Sequence, residues 1–267
     1  MPETRLEVRD LCYSYGSAQD AADHVSFTVE KGQFVGLIGP NGSGKSTILK
    51  NIYRALKPDN GRILLDGEDL LKMSYRDSAL KMAVVGQENE LPFDFTVEEI
   101  VAMGRSPHKK LFDTDNAHDK AIVHHALEHL GMVDMAKRSY LYLSGGEKQR
   151  TVIARAVAQE SDFLILDEPT NHLDISYQMQ IFDLIKRLNT TVLSAIHDLN
   201  MAALYCDYVY VLQNGRIVLQ GTPEAVLTEE NITRVYGVDC CVSRHPVTGK
   251  ISITFLPEGI KKQGVET

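Results

Sequence analysis

The apolar run FVGLI leads directly into GPNGSGKST, after which Ile48, Leu49 and Ile52 recur at helical spacing. A strand that empties through closely spaced glycines into a helix has few ways to fold. The segment matches GxxxxGK[ST], from Gly39 through Asn41, Gly42, Ser43, Gly44 and Lys45 to Ser46, with Thr47 next. Loops of this kind turn successive backbone N–H groups onto phosphate oxygens at a helix N-terminus. Lys45 is expected to neutralise β- and γ-phosphates, and the Ser46 hydroxyl to ligate Mg²⁺. Pro58 is expected to stop the helix.

A second apolar run, FLILD, ends in the adjacent carboxylates Asp167 and Glu168. Parallel strands buried on both faces read as continuous apolar runs, and such sheets gather ligands at their carboxyl ends. The two acids are therefore expected beside the glycine loop. Asp167 would hold Mg²⁺, commonly through water, and Glu168 would orient or deprotonate an attacking water.

The rest of the chain supplies the sheet and its covering. Leu6 and Val8, then Val25, Phe27 and Val29, alternate as antiparallel strands do, and RILLDG is expected to return to them. From about Leu91 to Leu143 the chain reads as largely helical, with Ile122, Ala126, Leu127 and Leu130 as one stripe and Gly131 as a C-cap. Helical segments then alternate with FLILD and TVLSAIH, which implies a parallel sheet. Gln213-Asn214-Gly215 is a hairpin signal, and Ile251, Ile253 and Phe255 alternate near the end.

Charge narrows the partners. Lys plus Arg number 28 against 36 for Asp plus Glu, a net charge of -8, which disfavours nucleic acid as a ligand. No apolar run approaches the ~18 residues of a membrane helix, and MPETRLEVRD has no secretory apolar core. A cytosolic protein is expected, with its four cysteines as free thiols.

Leu143-Ser144-Gly145-Gly146-Glu147-Lys148-Gln149-Arg150 separates this chain from other phosphate-loop proteins. Here it resembles the nucleotide-binding subunits of ATP-binding cassette transporters, whose signature is LSGGQ; Glu147 stands where Gln is commonest. The remaining positions of that family follow in order: Tyr15, Gln87, Asn171-His172-Leu173-Asp174 and His197. The resemblance implies that Tyr15 stacks on adenine, with Tyr13 as competitor. It also implies that Gln87 reaches Mg²⁺ and the nucleophilic water, that Asp174 joins the two sites, and that His197 contacts the γ-phosphate. Ser144 with the Gly145 and Gly146 amides would close over ATP held by a second copy, so hydrolysis would require a head-to-tail dimer.

The implied fold is α/β: a phosphate-loop ATPase core with a mostly parallel sheet, an antiparallel β subdomain and a helical insertion. One domain is expected over 1–267, with core 1–86 and 159–236, insertion about 87–158 and a short extension 237–267. VEEIVAMGRSPH, EPTNHLDISYQ and GTPEAVLTEENITRVYG look like the importers of ferric siderophores, haem and cobalamin. That resemblance implies a subunit on the cytoplasmic face of the membrane, driving a separate permease, with a solute-binding protein as an indirect partner. The permease is expected to dock between Gln87 and Arg105, on an exposed part of Leu91, Phe93, Phe95 and Val97. An exporter subunit is the alternative, and a soluble cassette acting on ribosomes or DNA a further one, disfavoured by length and charge. His125-Ala126-Leu127-Glu128-His129 formally fits the HxxEH metalloprotease pattern, but reads better as a solvated helix face.

Overall fold

In the computed structural model of the chain, residues 3–16, 21–86, 94–110, 116–171 and 173–257 are described. The chain opens with β1 (Thr4–Tyr13) and β2 (Ala22–Glu30), followed by β3 (Phe34–Ile38), α1 (Lys45–Ile52), β4 (Asn60–Leu65) and the two-residue β5 (Glu68–Asp69). Strands β2, β1, β4 and β5 form an antiparallel sheet in that order. Leu6 faces Val29 and Leu65, and Val8 faces Phe27 and Ile63, so every alternate apolar side chain falls on one buried face. That face is the expected antiparallel layer, and it packs over α1 and β3 in one apolar cluster.

Helix α1 ends at Ile52, well before Pro58. The terminator is local: Arg54 takes a left-handed φ of 66°, which the α-helix cannot continue through. Proline therefore marks the following loop, not the helix end.

Next come α2 (Tyr75–Lys81) and β6 (Ala83–Val85), then α3 (Val97–Ala102), a 3₁₀ turn over Met103–His108, α4 (Ala117–His129) and α5 (Gly145–Ala158). The buried stripe of α4 is Val123, Ala126 and Leu127, continued by Leu130, while Ile122 lies half-buried at its edge. Gly131 takes φ 63° just beyond the helix, the expected C-cap conformation. Of the four residues expected to offer the permease an apolar surface, Leu91 and Phe93 lie outside the described residues. Val97 is fully buried and Phe95 is partly buried against the core, because α3 turns its apolar side inward. Val97 therefore offers no exposed docking surface, while Phe95 keeps a partly exposed one.

The GRSPH run is also structural. A Cβ on Gly104 would lie 2.2 Å from the Arg155 carbonyl, so α5 passes too closely for a side chain. Arg105 is 3% exposed; its Nε donates to Asp119 Oδ1 at 3.0 Å, and its Nη1 to the Ala158 carbonyl at 2.8 Å and Glu160 Oε2 at 2.7 Å. One guanidinium thus joins the 3₁₀ turn, α4 and the end of α5. Replacing Arg105 by Ala strands the buried Asp119 carboxylate. Breaking a buried pair from one side costs about 3–5 kcal/mol. A fall of about 10 °C in melting temperature is expected, measured by thermal unfolding.

The remaining elements are β7 (Phe163–Asp167), α6 (Ile175–Arg187), β8 (Thr191–Ala195), α7 (Leu199–Tyr205), β9 (Tyr208–Gln213), β10 (Arg216–Gly221), α8 (Pro223–Val226), α9 (Glu229–Tyr236), β11 (Cys240–Arg244) and β12 (Ile251–Phe255). The main sheet runs β10-β9-β3-β8-β7-β6, parallel except for β10, which returns antiparallel to β9. All residues of β3, β7 and β8 are buried, with successive side chains sent to opposite faces. The β9–β10 turn is Asn214-Gly215, with φ 51° and 77°, the positive pair that a two-residue hairpin needs. Strands β11 and β12 form a separate hairpin held to α7: Asn200 accepts from Ile253 N at 2.8 Å and donates to its carbonyl at 3.1 Å.

Candidate active site at the carboxyl ends of the parallel strands

Three neighbouring strands, β3, β8 and β7, run parallel, so the loops leaving them emerge at one edge of the sheet. The glycine loop follows β3, His197 follows β8, and Asp167 and Glu168 end β7. Residues distant in sequence meet there because the strand order places them so.

The loop is tightly built. Gly39 has φ 148° and Gly44 φ 102°, and a Cβ on either would lie 2.2 Å from the Leu212 carbonyl or 2.1 Å from the Ala21 carbonyl. Behind it, the hairpin tip braces the chain through Gly215 N donating to the Ser43 carbonyl at 3.1 Å. Asn41 and Gly42 are exposed at its outer turn. Among the described residues no side chain caps the N-terminus of α1, and no acid occupies its first turn. Helix-leading amides lack intrahelical acceptors, so this end is open to an anion. Ser43 Oγ, buried without a hydrogen-bond partner among the described residues, adds a hydroxyl inside the loop.

Lys45 is 4% exposed, and its Nζ donates to the Gly39 and Pro40 carbonyls at 2.8 and 3.1 Å. Burial pulls its pKa below the usual lysine value, while Glu168 and Asp167 oppose that fall. The ammonium is parked on its own loop, with no contacting counter-ion among the described residues, a state that an arriving phosphate would relieve.

Ser46 Oγ donates to Asp167 Oδ1 at 2.8 Å. Asp167 is wholly buried, and its Oδ2 has no hydrogen-bond partner among the described residues. Burial raises this carboxyl above its ordinary pKa, with Glu168 adding to the rise and the Ser46 hydrogen bond working against it. A hydroxyl and a carboxylate with an unsatisfied oxygen form a hard oxygen donor set, which suits Mg²⁺.

Glu168 sits at a left-handed φ of 54°. Non-glycine residues rarely hold this conformation, and functional sites are where such strain accumulates. Its Oε1 meets His197 Nε2, and its Oε2 accepts from Asn171 Nδ2 at 3.1 Å. The carboxylate is thereby aimed from both sides. Asn171's contact was not anticipated from sequence; its place three residues past Glu168 was the available signal. Tyr15 lies 57% exposed, its hydroxyl 3.4 Å from Thr47 Oγ1 and its ring edge-on to Tyr13. Tyr13 is half-buried against the core, which leaves Tyr15 the freer ring. Gln87 lies outside the described residues, as does His172.

Ser144, Gly145 and Gly146 form a separate site. Among the described residues, no hydrogen bond or ion pair links them to the glycine loop. Ser144 caps α5, and a Cβ on Gly146 would lie 2.7 Å from the Tyr177 ring. Asp174 caps α6, accepting from Tyr177 N at 3.1 Å. The signature loop and the Asp174 turn are thus packed together, through a tyrosine that the sequence pattern did not single out.

The model of the ABC transporter family matches residues 22–171. That is more than half of the chain. The chain belongs to the ABC transporter family. It is similar to the ferric enterobactin transport ATP-binding protein FepC of Escherichia coli, 38% identical with 92% of each chain covered. It is similar also to the iron(3+)-hydroxamate import ATP-binding protein FhuC of Bacillus subtilis, 40% identical with 94% of each covered. Against two further relatives, 40% and 38% identical, it spans 60% of their length. Among solved structures it is similar to an inward-facing metal-chelate type ABC transporter, with TM-score 0.83, 28% identity, and 96% of this chain and 98% of that one covered.

As an ABC ATPase, the chain carries the expected fold: a phosphate-loop core, an antiparallel layer and helices between β6 and β7. No described helix is long and apolar enough to cross a membrane. The HxxEH pattern falls on α4, where the His125 and His129 rings touch at 4.4 Å and His124 pairs with Glu128 on an exposed face. Among the described residues, no group of three or more His, Cys, Asp or Glu could hold a metal ion.

Proposed function

We propose that this ABC ATPase drives import of a metal-chelate solute, a ferric siderophore, haem or cobalamin, through a separate membrane permease. The near full-length match to FepC and FhuC supports the importer class. The chemistry rests on one observation: one oxygen of the buried Asp167 carboxylate accepts from Ser46 and the other has no hydrogen-bond partner among the described residues, beside Lys45 and Glu168.

On this reading two copies bind ATP head to tail. Tyr15 stacks on adenine, while the amides of Gly39, Asn41, Gly42, Ser43, Gly44, Lys45 and Thr47 surround the phosphates. Ser46 and Asp167 hold Mg²⁺, with Gln87 as a further ligand; the ion, when bound, neutralises phosphate charge. Lys45 turns from its carbonyls to the β- and γ-phosphates. Glu168 orients a water and accepts its proton as the water oxygen attacks the γ-phosphorus and the bond to the ADP oxygen breaks. His197 faces the γ-phosphate and steadies Glu168. The partner copy's Ser144, Gly145 and Gly146 close the site, and Asp174 joins the two sites.

Lys45→Ala removes the cation that compensates the phosphates, so equilibrium titration should find ATP affinity reduced by at least about tenfold, since a charged hydrogen bond contributes roughly 1.5–3 kcal/mol. Placed in the cell that encodes this chain, the same variant should abolish uptake of one radiolabelled solute among a ferric siderophore, haemin and cyanocobalamin. Unchanged uptake of all three would overturn the importer reading.

A further inference from the structure

The two anion-binding helix ends of this chain are built differently. The N-terminus of α1 has no side-chain cap among the described residues and no acid in its first turn. The N-terminus of α5 is already filled. Glu147 Oε2 accepts from both the Ser144 amide at 2.7 Å and the Ser144 hydroxyl at 2.8 Å, while Glu147 N donates to Ser144 Oγ at 3.4 Å. The single hydroxyl proton of Ser144 is therefore spent on a carboxylate of its own helix. The same two hydrogen bonds, the amide's first, hold the Glu147 carboxyl below the usual range, so the group is anionic at neutral pH.

We propose that Glu147 is a positioning residue that opposes closure: it occupies the Ser144 hydroxyl and sets the ATP concentration at which two copies come together. This rests on the reading in which Ser144 meets the partner copy's ATP. A phosphate arriving there must take the Ser144 proton from Glu147, and it then faces a carboxylate that has lost a donor. Both effects favour the open state, through competition for one hydrogen bond and through repulsion between like charges. The device leaves the helix itself intact, because Gln completes the same capping box without the charge.

That equivalence supplies the test. In a Glu168→Gln background, which removes turnover, the fraction of dimer is measured against ATP concentration by sedimentation velocity, with and without Glu147→Gln. The amide variant should close at an ATP concentration about fivefold lower, with a melting temperature unchanged. Because repulsion between charges is screened by salt, the ratio between the two midpoints should shrink as NaCl is raised, which a purely structural cap would not produce. Ser144→Arg in the same background tests the underlying reading. If Ser144→Arg still dimerises normally, Ser144 does not meet the partner's ATP and the proposal falls with that reading. If Ser144→Arg blocks dimerisation while Glu147→Gln closes at the same or a higher ATP concentration, the composite site stands and the role of Glu147 is overturned.

Discussion

Glu168→Gln is expected to bind ATP about as well as the unaltered chain while its turnover falls by about 10²–10⁴-fold, the range over which a positioned general base contributes. The amide keeps the shape of the side chain; its oxygen can still accept from Asn171 Nδ2 while its NH₂ takes the place of the oxygen that meets His197 Nε2. It cannot accept a proton from water. ATP-bound dimers should then accumulate, visible as a shift in sedimentation that needs ATP and is reversed when ATP is removed. Turnover within a few-fold of normal would show that another group takes the proton.

The sequence disclosed the chemistry of this site better than its mechanics. Gly39 to Ser46 were legible because loop, lysine and hydroxyl form one contiguous pattern, to which the structure adds the carbonyls of Leu212 and Ala21 that forbid side chains there and the hairpin tip that braces Ser43. The Ser46–Asp167 pair joins residues 121 positions apart, yet it followed from the rule that parallel strands present ligands at their carboxyl ends. Arg105 was not legible. Its pattern reads as a turn, and burial of a guanidinium is decided by acceptors far along the chain, at Ala158 and Glu160. The helix end assigned to Pro58 failed for the opposite reason: a single left-handed residue, Arg54, acts before the proline can. Within the expected docking segment only the burial of Val97 was hidden, because alternating apolar residues look alike whether they face a partner or the core, and α3 turns Val97 to the core.

Asp167→Asn should divide stability from function. Burial is the main influence on this carboxyl and raises its pKa above the ordinary aspartate value. A raised pKa in the folded state means that ionisation is disfavoured there, so the charge subtracts from stability above the folded pKa and ceases to matter below the unfolded one. At neutral pH the neutral amide is free of that penalty. The ligand-free variant should therefore melt about 3 °C higher, since about 1 kcal/mol shifts a domain of this size by roughly 2–4 °C. The difference should narrow as the pH falls through the raised folded-state pKa of the unaltered carboxyl and vanish below its unfolded one. Hydrolysis should be lost, because the buried oxygen pair no longer carries the charge that holds Mg²⁺.

Thermal unfolding of both chains, free, with ATP and EDTA, and with ATP and Mg²⁺, tests this centre most directly. The unaltered chain should gain stability from Mg²⁺ beyond that given by ATP alone, whereas Asp167→Asn should start higher and gain nothing further from the ion. A variant that melts lower than the unaltered chain, or that gains as much from Mg²⁺, would contradict the assignment of Ser46 and Asp167 as the metal-holding pair.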